Sequence, residues 1–151
     1  MTHFASKTYT DYKAGETVTE YDKRLALPDG WKLLTTASNS NKTNGYFGAA
    51  YWHREHQHVV FVHRGTDPKN LGALWSDLKG VVLNKYVRQM KSASTFAHKV
   101  VEVLRKFKFE YGVSFQLFFT GHSLGGSLAQ VTTFSTVYLK REGKFSLKVT
   151  M

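Results

Sequence analysis

The chain has 151 residues and no cysteine, with 21 lysines and arginines against 11 aspartates and glutamates, a formal net charge of +10. That length supports one domain with a real core, and the lack of thiols excludes disulfides and cysteine chemistry. Hydrophobic residues make up 42% of the chain, too many for a disordered protein, and no apolar run is long enough for a membrane-spanning helix.

The opening stretch MTHFASKTYTDYKAGETVTE lacks the apolar centre of a secretion signal. The expectation is a cytoplasmic protein, or an extracellular one if the N-terminus is incomplete. Residues 1–45 are polar, rich in Thr, Lys, Asn and Ser, and carry no placeable motif. They are read as a segment of unassigned role that precedes a folded unit over 46–151. Within them Pro28-Asp29-Gly30 predicts a turn, and SNSNKTNG, residues 38–45, a loop.

Tyr46–His53 and His58–Arg64 are rich in β-forming residues and are separated by the polar REHQ, which predicts a hairpin whose second strand is the more buried. His53, His56 and His58 gather at its turn. A metal site there would need further ligands, and Glu55 is the one carboxylate nearby, so exposed hairpin histidines are the preferred reading. No metal and no cofactor is expected.

Leu71, Leu74, Trp75 and Leu78 recur at helical spacing. From Lys79 to Lys108 the chain is strongly basic, with Glu102 as the one acid. An anionic membrane surface is one partner for such a run, but the preferred reading is a solvated helix face. Net charge alone is weak support for a nucleic-acid partner, and no aromatic-basic motif adds to it. Ala93, Phe96, Ala97, Val100, Leu104 and Phe107 then mark the inner face of a helix over 91–109, with Gly112 closing it.

VSFQLFFT, residues 113–120, is nearly all apolar and fits a buried parallel strand. A turn over 121–126 and a helix from Ser127 to about Arg141 follow, the helix with Leu128, Val131, Phe134, Ser135 and Tyr138 along one side. KFSLKVTM opens a further strand. The order strand, helix, strand, turn, helix, strand predicts an α/β sheet.

The turn holds the chemistry. In GHSLGG, Ser123 has Gly121 two places before it and Gly125 two places after. A sharp strand-to-helix bend of this kind pushes a serine hydroxyl outward in a strained backbone conformation. Residues with side chains at the flanking positions would collide with the strand and the helix. The helix N-terminus then offers free amides to a developing negative charge.

With VVFVHRGT and WSDL upstream, this segment resembles the fungal-type (class 3) triacylglycerol lipases, a branch of the α/β-hydrolase fold, from about Phe47 to the end of the chain. The resemblance implies a mostly parallel sheet with flanking helices, incomplete at its C-terminal end. It implies a lipid ester substrate, Ser123 as the acylated nucleophile, and an oxyanion hole from the backbone amides of Leu124 and Thr66. Asp77 precedes the serine, whereas this fold places its triad acid after it. Orienting the Thr66 hydroxyl and solvating a helix are both open for Asp77. The helix bearing Leu71, Leu74 and Trp75 corresponds to a lid that opens at a lipid surface, and a helix packed permanently on the core is the alternative.

A serine nucleophile needs an imidazole to take its proton and a carboxylate to orient that imidazole. After Ser123 the sequence contains no Asp and no His, and Glu142 is the one acid. His122 sits inside the bend, too close along the chain to approach Ser123 Oγ in line. The expectation is therefore a truncated lipase or esterase lacking the triad Asp and His, inactive as it stands. The alternative is a non-catalytic, lipase-like protein that binds lipid or a partner. An open sheet edge and an uncovered helix face would make such a chain prone to aggregate, and nothing in the sequence fixes an oligomeric state.

Overall fold

A computed structural model describes residues 27–38, 44–64, 81–141 and 148–150. Five strands form one mixed sheet: β1 (Trp31–Ser38), β2 (Phe47–His53), β3 (His58–His63), β4 (Gln116–Gly121) and β5 (Lys148–Thr150). Among the described residues two helices connect the later strands, α1 (Val81–Tyr111) between β3 and β4, and α2 (Leu124–Arg141) between β4 and β5. The strands lie side by side in chain order, β1 to β5. The pairs β1–β2 and β2–β3 are antiparallel, whereas β3–β4 and β4–β5 are parallel.

The sheet begins inside the stretch read from sequence as polar and roleless. Trp31 donates its N–H to the Pro28 carbonyl at 3.1 Å, and Gly30 takes φ +79°. That is a turn whose third residue needs a left-handed backbone, and it feeds β1 directly. Beyond it the register with β2 slips between Leu33 and Thr35, a bulge at the sheet edge.

Alternation along the strands divides the core in two. Ala50, Val59, Phe61 and Leu117 face α1 and α2, packing with Ala93, Phe96, Val100, Leu104 and Leu128. Phe47, Ala49, Tyr51, Val60 and Val62 face the other way, with Leu33. The hairpin forms as the sequence predicts, but its second strand is not the more buried: Trp52 of β2 and His58 of β3 are each half-buried, and the other residues of both strands are buried.

Helix α1 is longer than its apolar stripe, extending from Val81 to Tyr111. It ends where expected: Gly112 takes φ +65° and returns its N–H to the Lys108 carbonyl at 2.9 Å. Helix α2 begins at Leu124, three residues earlier than the sequence suggests, and turns a different side inward. Leu128, Ala129, Thr132, Thr133 and Thr136 are buried, while Phe134 and Tyr138 are 71% and 63% exposed. Threonine can occupy a core-facing helical position because its hydroxyl returns to the preceding turn. Thr132, Thr133 and Thr136 each donate to a carbonyl three or four residues back, at 2.8–3.1 Å. Among the described residues no helix is long and apolar enough to cross a membrane.

Candidate active site

Strands β3 and β4 run parallel and finish together, with His63 opposite Gly121. The chain leaves β4 through His122 and Ser123 and enters α2 at once. Ser123 has φ +57° and is exposed, so its backbone occupies the left-handed region that side chains other than glycine's rarely adopt. The Gly125 N–H reaches the His122 carbonyl and the Gly126 N–H reaches the Ser123 carbonyl, both at 2.9 Å. Leu124 heads the helix, where its N–H has no preceding helical carbonyl to bond.

Gly121 is required by space. A β-carbon there would overlap the Gly125 carbonyl group and lie 2.8 Å from the His63 carbonyl oxygen. Backbone meets backbone on both sides, so no side chain can swing away. The strand, the bend and the first helical turn are thus pressed together around Ser123, with the end of β3 alongside. Thr66, Leu71, Leu74, Trp75 and Asp77 lie outside the described residues, as does Gly65.

The end of β3 is tied to α2 by a feature that sequence reading missed. His63 is fully buried, with Nε2 3.0 Å from Thr132 Oγ1 and Nδ1 3.0 Å from the Tyr46 hydroxyl. The Thr132 proton points to the Ala129 and Leu128 carbonyls, so Thr132 accepts from His63 Nε2–H, and Nδ1 accepts from Tyr46 O–H. Burial lowers the His63 pKa from 6.5 to about 3 and raises that of Tyr46 well above its ordinary value. Gly48 makes the arrangement possible, because a β-carbon there would overlap the Tyr46 hydroxyl. Both imidazole nitrogens of His63 are therefore occupied by structural partners.

The other histidines lie elsewhere. His58 pairs with Gln116, five residues before Gly121 along β4, which puts the hairpin turn about 17 Å from the bend. His53 is not an exposed turn residue: it is buried, meets Trp31 edge-on, and its Nδ1 accepts the His56 N–H at 3.3 Å. Among the described residues no group of three His, Asp or Glu side chains could hold a metal ion. His98 lies on the exposed side of α1, and His122 is exposed beside the serine.

The sequence over residues 37–150 matches the family model described as Lipase (class 3). The chain belongs to the class 3 lipase family. No curated protein sequence matches this class 3 lipase domain, but solved structures do. It is similar to the triacylglyceride lipase of Rhizomucor miehei, at 19% identity and a TM-score of 0.53, covering 80% of this chain and 47% of that one. It is similar also to a mutant form of MDLA from Penicillium cyclopium, at 17% identity and a TM-score of 0.57, covering 97% of this chain and 57% of that one. These likenesses show an α/β-hydrolase fold, and the chain spans about half the length of the structures it matches.

Proposed function

We propose that this domain carries the nucleophile of a lipase-type serine hydrolase that cleaves carboxylic esters of lipids, acylglycerols or phospholipids, through an acyl-Ser123 intermediate. The observation that supports it is the left-handed, exposed Ser123 between β4 and the first turn of α2. In this reading Ser123 Oγ attacks the ester carbonyl and passes its proton to an imidazole. The Leu124 and Thr66 amides hold the resulting oxyanion; one such donor is worth about 3–4 kcal/mol of transition-state stabilisation. The imidazole then gives the proton to the leaving alcohol, and water releases the acid from the serine. The resemblance also suits Asp77 to orienting the Thr66 hydroxyl, and a helix bearing Leu71, Leu74 and Trp75 to covering the active site. Among the described residues, His63 has both nitrogens bonded and the hairpin histidines lie at the far end of the strands, so neither serves as this base.

That last observation also favours a second reading, a non-catalytic lipase-like protein that keeps the bend and binds lipid or a partner. A fluorophosphonate probe separates the two. Labelling that disappears in Ser123→Ala requires an activated hydroxyl, and a folded, complete protein that resists the probe points to binding. Reading the gene past the codon for Met151 is the complementary test: an Asp followed by a His supports the hydrolase, and an immediate stop codon weakens it.

A further inference from the structure

The outward face of α1 combines charge and an apolar ring in a way that a merely solvated helix does not need. Arg88, Lys91, Lys99, Arg105 and Lys106 are all exposed, and at 100° per residue they fall on one side of the helix. Two acids share that side: Glu102, bonded by Arg105 at 2.9 Å, and Glu110. In the middle of the same side stands Phe109, 93% exposed, although Phe107 two residues earlier is packed against the core. From Arg88 to Phe109 the face runs for about 32 Å.

We propose that this face is a docking surface for an anionic lipid bilayer. The helix lies along the membrane, its arginines and lysines over the lipid headgroups and Phe109 in the boundary between headgroups and acyl chains. Charge complementarity selects anionic over neutral lipid. A row of cations with an exposed phenyl ring among them fits a partly apolar, anionic surface better than the wholly polar backbone of a nucleic acid. The face is separate from the bend, but its N-terminal part lies at the same end of the molecule. Gln89 and Ser92 of α1 bond Asn44 just before β2, and the start of β2 pairs with the end of β3. Docking along α1 therefore sets Ser123 toward the Arg88 end of the docked face. The inference rests on α1 alone and does not require Ser123 to be reactive.

The test is co-sedimentation with vesicles of phosphatidylcholine, pure or containing about one-third phosphatidylserine. The protein is expected to bind the anionic vesicles and to leave them at about 0.5 M salt. Lys99→Glu with Lys106→Glu weakens binding by about tenfold or more, and Phe109→Ser weakens it without changing net charge. Lys32→Glu, an exposed position on β1, loses much less, and Ser123→Ala loses nothing. Circular dichroism matching the parent chain keeps each comparison valid. Equal binding to neutral vesicles, equal losses for the α1 and Lys32 variants, or tighter binding to RNA than to anionic vesicles would overturn the proposal. Fluorophosphonate labelling, read separately, is indifferent to all three outcomes.

Discussion

The imidazole of His63, on the sheet, lies 3.0 Å from the hydroxyl of Thr132, on α2. The contact joins the strand that precedes Arg64-Gly65-Thr66 to the helix that begins beside Ser123, and neither partner reaches solvent. Its histidine stays neutral far below the ordinary range.

That neutrality predicts an acid sensitivity. The folded pKa is about 3 and the ordinary value 6.5, so between these limits the unfolded chain binds a proton that the folded chain refuses. Stability from this group is complete above about pH 6.5 and is lost as pH falls toward 3, by at most about 1.4 kcal/mol per pH unit. Urea unfolding at pH 7 and pH 4.5 measures it. His63→Phe is expected to be less stable at pH 7, by about 1–3 kcal/mol for the stranded Tyr46 hydroxyl, and to lose this part of the acid dependence.

Two neighbouring glycines are predicted to behave oppositely. Gly121→Ala forces a methyl group into the Gly125 carbonyl and against the His63 carbonyl, and is expected to cost about 1–3 kcal/mol or more. Gly126→Ala meets the Gly121 carbonyl oxygen at 3.5 Å, an ordinary contact, and gains up to about 1 kcal/mol of helix propensity. Urea midpoints of the two variants decide, and equal losses would mean that the bend is not packed as described.

At Ser123 the prediction trades stability against reactivity. A side chain at φ +57° carries a backbone cost of about 1–2 kcal/mol that glycine avoids. Ser123→Gly should therefore be more stable than Ser123→Ala by about 1 kcal/mol, while neither takes up a fluorophosphonate. The same unfolding assay gives the difference.

Phe134 and Tyr138 stand exposed one turn apart on α2, and β5 lies at the edge of the sheet. The chain is expected to self-associate at high concentration. Phe134→Ser combined with Tyr138→Ser should raise the concentration at which light scattering appears, with little change in urea midpoint.

The bend was legible because its signals are local: an apolar run, glycines two places either side of a serine, then a helical stripe. The hairpin was legible for the same reason. β1 was not, since WKLLTTAS mixes lysine and threonine with leucine and becomes a strand through its pairing with β2. The inward side of α2 was misread because hydropathy ranks Phe134 and Tyr138 above Thr132 and Thr136, while three hydroxyls bonded to their own helix make threonine an acceptable core residue there. His63 gave no signal, as its partners lie 17 and 69 positions away. The buried Gly48 beside Tyr46 was its one faint trace.

Because the strands stand in the order in which they are synthesised, each new one finds its neighbour already present as the chain leaves the ribosome. No strand has to wait for a later one to be slotted between itself and its predecessor. Assembly can proceed from the amino end as a growing ribbon, its longest search the 58 positions that separate paired residues of β3 and β4, and the serine bend is synthesised after the hairpin it leans on.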